Sequence, residues 1–214
     1  MTPQSAPEVD ALVLSGGNSR RMGRPKALLR LPDGLTLAEA VGRRVAAVAG
    51  VALEVGGGWS RLPWCPDHIS GAGPLGAVVT GWRALRDQIG RDPRTGVLVV
   101  AVDLPLVSVE LLTSLAAWEH PGSVVLALDG RPQPLLARWS DAALAEATRR
   151  FDQGERRVTW LVQSTSTLVV PETDWAPLAG PTGADSARDV DDPEAWATLL
   201  ARLGHVEARA EAIP

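Results

Sequence analysis

Between Leu12 and Leu29 the chain reads L-V-L-S-G-G-N-S-R-R-M-G-R-P-K-A-L-L. An apolar run, Val9–Leu14 with only Asp10 breaking it, ends in Ser15-Gly16-Gly17. Arg20, Arg21, Arg24 and Lys26 then crowd one loop, punctuated by Gly23 and Pro25. Glycines let backbone N–H groups approach phosphate oxygens closely, and the cations neutralise them. A solvated surface loop could also be rich in cations, but such loops usually mix in acidic partners, and none is present here. The pattern points to a phosphorylated ligand, and among these to a nucleotide. Asp103 is the second chemical signal, directly after Val97–Val102 in A-V-D-L-P-L. Read alone it is a turn or cap residue before Pro105. Beside a phosphate loop, a carboxylate at a buried strand tip is suited to holding magnesium on phosphates. The turn Gly71-Ala72-Gly73-Pro74-Leu75-Gly76 is a weaker third, bringing a helix N-terminus toward the same edge.

Those residues need a scaffold, and strands and helices alternate along the chain to supply one. Val9–Leu14 reads as a buried strand and Leu37–Val48 as a helix, with apolar residues three and four apart. Val51–Val55 is a second strand ending in Gly56-Gly57-Gly58, and Trp59–Gly73 reads as a long loop. Leu75–Ile89 is helical, and Val97–Val102 has the continuous apolarity of a central parallel strand covered on both faces. Leu111–Trp118 is a helix. Val124–Leu128 and Pro134–Ala137 are strands joined by Asp129-Gly130-Arg131-Pro132. Ala142–Phe151 is a helix, and Gly154–Arg157 opens the next helical segment. Leu168–Val170 reads as a strand, Pro171–Gly183 as loop, and Pro193–Leu203 as a final helix with proline at its first position. This alternation predicts an α/β fold, a doubly wound parallel sheet in one domain, whose ligands bind at the carboxyl ends of the strands.

Composition excludes several classes. At 214 residues the chain suits one α/β domain, and a net charge of −4 makes the basic loop a local feature rather than a nucleic-acid surface. The single cysteine, Cys65, excludes an intramolecular disulfide and a cysteine-rich metal site. Neither a signal pattern nor a membrane-length apolar run is visible, so a cytoplasmic protein without membrane partners is expected. The loop is not a P-loop, since no G-K-[ST] follows, and S-G-G-N-S-R-R-M-G lacks the G-x-G-x-x-G spacing. His68, His120 and His205 are scattered and form no nucleophile constellation.

The run L-S-G-G-N-S-R-R-M-G-R-P-K-A-L-L resembles the signature L-A-[AG]-G-x-S-x-R-M-G-x-x-K-x-L-L of nucleotidyltransferases that activate a phosphorylated acceptor. Within that superfamily the molybdenum cofactor guanylyltransferases are most similar. Asp67 with G-A-G-P-L-G, then A-V-D-L-P-L, then L-D-G-R-P-Q-P-L-L-A-R-W follow in the family's order. Gln153–Val158 resembles its G-E-R-R-V segment, and Asp189-Val190-Asp191-Asp192-Pro193-Glu194 its closing N-x-N-T-P-E or D-x-D-T-P-E motif. The likeness spans roughly residues 9 to 203.

The resemblance implies a Rossmann-like, mixed but mostly parallel sheet of the nucleotide-diphospho-sugar transferase type. It implies one nucleotidyltransferase domain over 9–203, between flexible ends at 1–8 and 204–214. The implied reaction moves GMP from GTP to the terminal phosphate of molybdopterin, releasing pyrophosphate, with Mg2+ as cofactor. Leu14, Ser15, Gly16, Gly17, Gly56 and Asp67 would take the nucleoside, Gly56 standing where the family often has asparagine. Arg21 and Lys26 would meet the phosphates, with Asp103 on the metal and the nucleotide. Arg156, Arg157 and Asp189 are candidates for the acceptor side, although two helix-surface cations are an equal reading of the arginines. Asp191 would be a second metal ligand, as in sugar-activating relatives. Transient contact with proteins that deliver molybdopterin is also implied.

Two departures touch the base. Pro25 replaces the family's aspartate, a form shared with relatives that transfer cytidylyl groups. Gly16 stands where those relatives carry alanine, and it favours guanine. A transferase using CTP or another acceptor is therefore the alternative, and a nucleotide-binding protein without turnover a more distant one.

Overall fold

The structure, a computed structural model, describes residues 9–17, 23–67, 72–89 and 96–210. In chain order the strands are β1 (Val9–Leu14), β2 (Ala49–Val55), β3 (Trp64–Cys65), β4 (Val97–Ala101), β5 (Ser123–Leu128), β6 (Arg131–Trp139) and β7 (Thr167–Val170). The helices are α1 (Leu37–Ala46), α2 (Gly73–Ile89), α3 (Val109–Ala117), α4 (Asp141–Asp152), α5 (Thr159–Ser164), α6 (Glu172–Trp175) and α7 (Pro193–Ala210). One sheet runs β3-β2-β1-β4-β6-β5-β7. Its neighbours are parallel except at β6, which lies antiparallel to both β4 and β5. It is the doubly wound, mixed but mostly parallel sheet that the sequence predicts.

Burial on both faces explains the continuous apolarity of β4. Leu98 and Val100 join the core beneath α1 and α3, while Val97 and Val99 join the core beneath α2 and α4. A third cluster sits at the carboxyl edge, where Ala27, Leu29 and Leu37 pack with Val102, Val190, Trp196 and Leu199. That cluster binds the basic loop, the end of β4 and α7 into one unit.

Helix starts follow local hydrogen-bonding chemistry. Thr36 caps α1 through a reciprocal box, its hydroxyl accepting from Glu39 N while Glu39 accepts from Thr36 N. Ser108 and Ser140 cap α3 and α4 in the simpler way. At the other end of α3, the buried guanidinium of Arg138 donates to the carbonyls of Ala116 and His120, ending the helix against β6.

Six segments differ from expectation. β3 lies inside the expected loop Trp59–Gly73, its two residues pairing only with Glu54 and Val55, too short a run to leave an alternation. Gly154–Arg157 is not helical, its Glu155 carboxylate accepting from the Arg156 and Arg157 amides instead, and α5 starts only at Thr159. β6 extends from Arg131 to Trp139 rather than Pro134–Ala137. Proline cannot donate to a ladder, and here Pro132 and Pro134 lie toward the strand's start, beside the irregular register between Val125 and Ala127. α2 starts at Gly73, because a proline is well placed in a first helical turn. The expected loop at Pro171–Gly183 is instead α6 followed by 3-10 turns over Ala176–Ala187, broken where Gly180 and Gly183 take φ of 66° and 50°. It is pinned by Trp175, fully buried with its indole N–H on Ala127 O at 2.8 Å, and by Ser108, whose hydroxyl donates to Ala179 O. Finally, α7 runs on to Ala210; the residues after Gly204 are mostly good helix formers, and one glycine costs only about 1 kcal/mol. Among the described residues no helix is long and apolar enough to cross a membrane.

Candidate active site

Asp103 is placed by backbone bonds on both sides. Val102 N donates to Leu14 O at 3.0 Å, tying the end of β4 to the end of β1. Asp103 O accepts from Val190 N at 3.0 Å, which draws the Asp189–Asp191 segment over the same spot. Arg44, from α1, donates to Pro105 O at 2.8 Å and holds the next turn of the loop.

Lys26 arrives from a 3-10 turn over Lys26–Leu28, anchored by the buried side chains of Ala27 and Leu29. Its ammonium donates to Asp103 Oδ2 at 3.0 Å and to Asp191 Oδ1 at 2.6 Å. Burial alone would push the Lys26 pKa down; Asp191 and Asp103 outweigh it and hold it above the ordinary lysine value.

Asp103, Asp189 and Asp191 bring carboxylate oxygens within 4.8 Å of one another. Partial desolvation of the carboxyl at this exposed residue, then the charges of Asp191 and Asp103, push Asp189 above its ordinary range. Among the described residues three acidic groups therefore face one lysine, with more negative charge than Lys26 neutralises. Magnesium takes oxygen ligands and keeps several waters, so a small all-carboxylate set at a partly open edge fits it, and a divalent cation would relieve the crowding on Asp189. The triad can hold such a cation. It unites the predicted metal pair, Asp103 and Asp191, with Asp189, which the resemblance puts on the acceptor side. Beyond Asp189 opens a cavity of about 380 Å³ whose walls include Pro105, Leu106, Arg188, Val190, Leu199 and Arg202.

The other end of the cleft is made from the turns after β1 and β2. Gly56 has φ of 134°, and a Cβ there would lie 2.5 Å from Gly16 N and 2.7 Å from Ser15 Oγ. Only glycine permits so close an approach, so the asparagine common in the resembling family has no room in this conformation. Gly17 is also in a positive-φ conformation, at 130°. Asp67 completes this end: a Cβ on Gly16 would stand 3.7 Å from its Oδ2, while its Oδ1 is buried without a hydrogen-bond partner. An orphaned buried acceptor of this kind is suited to a ligand's N–H or O–H donor.

Beneath these turns sits Glu54, a residue the sequence reading does not single out. It is fully buried and accepts from Ser15 Oγ, from Trp59 N at 2.9 Å and from Ser60 N at 2.7 Å. The signal was present: a single carboxylate interrupts the apolar run V-A-L-E-V at the end of a buried strand.

Arg156 and Arg157 are brought to the start of α2, where a Cβ on Gly73 would lie 3.8 Å from Arg156 O. The Arg156 guanidinium lies 4.2 Å from the Phe151 ring centroid and donates to Phe151 O and Glu155 O. Arg157 is exposed and paired with Glu155 at 2.9 Å. Both guanidinium groups thus engage their own segment. Leu14 O is used by Val102 and its side chain is buried. Arg24 is exposed. Arg20, Arg21, His68 and Gly71 lie outside the described residues.

With this geometry, comparisons with known proteins are informative. The profile of the family described as "MobA-like NTP transferase domain" matches residues 11–167. A Mycobacterium tuberculosis protein named "Probable molybdenum cofactor guanylyltransferase" is 34% identical over 205 residues, covering 90% of this chain and 96% of its own. The Mycobacterium marinum protein of the same name is 34% identical over 194 residues, covering 85% and 91%. Among solved structures, molybdopterin-guanine dinucleotide biosynthesis protein A from Archaeoglobus fulgidus superposes with a TM-score of 0.71 at 21% identity, over 94% of this chain and all of that one. A 4-diphosphocytidyl-2C-methyl-D-erythritol synthase from Anaerococcus prevotii gives 0.64 at 13% identity, covering 93% and 97%. At such identities the structural likenesses speak for the fold.

Proposed function

The chain belongs to the family of MobA-like NTP transferase domains, and from that premise we propose that it transfers GMP from GTP to the terminal phosphate of molybdopterin, releasing pyrophosphate. The observation that carries this reading is the cleft itself. A lysine shared by Asp103 and Asp191 stands at one end, and two touching glycine turns with an orphaned Asp67 oxygen form the other. These are the needs of a triphosphate and of a nucleoside. The relatives named guanylyltransferases favour GTP as the nucleotide.

In this reading the base enters beside Leu14–Gly17 and Gly56, where Asp67 accepts from the nucleoside. Lys26 turns from its carboxylates to the phosphates, joined by Arg21. Asp103 and Asp191, with Asp189 beside them, would hold Mg2+. When bound, that ion supplies charge neutralisation on the phosphates, the carboxylates having none to offer.

An oxygen of the acceptor's phosphate forms a bond to the α-phosphorus as the bond from that phosphorus to the bridging oxygen of pyrophosphate breaks. The electron pair leaves with pyrophosphate, where Lys26 and Arg21 stabilise it. The attacking oxygen is already anionic, so the step needs positioning and charge neutralisation rather than a general base. Arg156 and Arg157 are proposed to meet the acceptor's anionic end from the α2 side, where a guanidinium fork suits phosphate.

Pyrophosphate release, measured with GTP, CTP, UTP and ATP in turn, with and without molybdopterin, tests the proposal. Release that requires both GTP and molybdopterin is expected. Release with CTP alone would replace GTP by CTP, and release with none would leave a nucleotide-binding protein.

A further inference from the structure

Glu54 is 0% exposed and has no cationic partner among the described residues. Burial by itself pushes its carboxyl up, but hydrogen bonds from Ser15, Ser60 and Trp59 hold it below the ordinary carboxylate range. Burying a charge for stability alone is a poor device, since a well-packed apolar residue commonly does as well or better. What a carboxylate provides here is fixed geometry, because its two oxygens bind groups from separate loops at once.

Those loops are the walls of the base slot. Oε1 accepts from the Ser15 hydroxyl, at the end of β1, and from Trp59 N, in the loop after β2. Oε2 accepts from Ser60 N. Ser15 Oγ in turn accepts from Gly57 N at 3.2 Å, which closes a ring of bonds around the Gly16–Gly56 contact. Behind the loop, Ser60 lies against α1, where a Cβ on Gly42 would lie 3.0 Å from its own Cβ. With its proton shared between Glu54 and Val55 O and one lone pair on Gly57 N, the Ser15 hydroxyl is held to the two turns it joins.

We infer that Glu54 is a positioning residue for nucleotide selection: it sets the spacing between the Ser15–Gly17 and Gly56–Gly58 turns, and so which base fits between them. The inference rests on the proposed entry of the base at these turns. An amide in place of the carboxylate turns its –NH2 either toward Ser60 N or toward Ser15 Oγ and Trp59 N, so at least one loop amide loses its acceptor. The Trp59–Ser60 wall of the slot then loosens.

The test is equilibrium binding of GTP and of CTP, each with magnesium, to the unmodified chain and to Glu54→Gln, with steady-state kinetics alongside. Glu54→Gln weakens the preferred nucleotide about tenfold and narrows its advantage over the other. In kinetics the loss falls on the KM for the nucleotide, with kcat within threefold and the KM for molybdopterin unchanged. Affinity within threefold of the unmodified chain overturns the inference. So does an equal loss for both nucleotides accompanied by a rise in the acceptor's KM, the mark of a merely structural role. If Glu54→Gln does not fold, Glu54→Asp, which keeps the charge but draws the carboxylate back from the loops, decides by the same criteria. The unmodified chain judges the function separately: preference for CTP overturns GTP as substrate and moves the Glu54 test to CTP, while binding of neither overturns both.

Discussion

Around Glu54 each carboxylate oxygen already has its donors, and the Ser15 hydroxyl that joins the two turns both donates and accepts. Around Asp103 the reverse holds: three carboxylates converge and Lys26 leaves them in excess. The Glu54 network is satisfied within the protein and contributes shape, leaving the Asp67 oxygen as the acceptor this end offers a ligand. The second, among the described residues, carries more acid than base and contributes a demand for cations. A site for a nucleoside triphosphate has use for both, because a base is discriminated by fit whereas a triphosphate is held and made reactive by charge. The contrast also says how each region should fail. Substitutions at the charged end should spare the fold and remove turnover, while those at the shaped end should damage affinity and stability together.

Asp103→Ala is the sharpest test and carries the largest effect. Pyrophosphate release falls by about 10²–10³-fold or more, the scale expected when charge stabilisation at a transferring phosphate is lost. The melting temperature without magnesium stays level or rises, because one of three crowded carboxylates has gone. Full activity in this variant would refute the metal assignment, and collapse of the fold would refute the contrast itself.

Gly56→Ala is the counterpart at the shaped end. Its Cβ would be driven into the backbone of Gly16 at 2.5 Å, at a φ of 134° that side chains rarely adopt. Strain of this kind costs about 1–3 kcal/mol, so melting temperature and GTP affinity should drop together. Thermal unfolding with and without GTP measures both. Loss of turnover with unchanged stability would show that the two ends are not built differently.

Asp189→Asn has a smaller effect that depends on pH. The folded carboxyl titrates above its ordinary value of 3.8, so ionised Asp189 is disfavoured in the folded chain relative to the unfolded one. The sign follows from linkage: a raised carboxyl contributes nothing adverse below the unfolded pKa and destabilises as pH rises through the folded one. The asparagine variant therefore gains stability at neutral pH and nothing below about pH 3.8. The residue is exposed, so solvent screening keeps the gain under about 1 kcal/mol. Magnesium should shrink it further. A gain that persists at low pH would place its cause in packing rather than charge.

The two regions were unequally legible in the sequence, for a physical reason. The charged end announces itself through residue type: Lys26 after glycines, Asp103 at a strand tip, Asp189 and Asp191 just before Pro193. Chemistry at this end depends on charge, and charge is written in the letters. At the shaped end the letters Ser15, Gly16 and Gly56 are visible, but their contact is not. Glu54 shows in the letters only as a lone carboxylate in V-A-L-E-V, because its function lies in which amides the loop turns toward it. The strands and helices of the sheet were likewise readable from period and apolarity. The 176–187 segment was not: its order comes from Trp175, Ser108 and two positive-φ glycines, none of which leaves a period.

Arg157 lies outside both regions and draws the boundary of the comparison. Its guanidinium side chain is 77% exposed and its partner, Glu155, belongs to the same short segment. Surface pairs of this kind contribute about 0–1 kcal/mol, so Arg157→Ala should leave the melting temperature nearly unchanged. Its kinetic signature depends on which role the arginine has. As a plain surface cation it would alter nothing. As a contact to the acceptor's phosphate it would raise the KM for molybdopterin a few-fold, leaving the KM for GTP alone, because binding by an exposed cation is mostly uniform between ground and transition states. The salt dependence separates a real effect from noise: a screened, exposed contact weakens as ionic strength rises, so the difference between variant and unmodified chain should close at high salt. A rise in the KM for GTP instead would move this segment from the acceptor's side of the cleft to the nucleotide's.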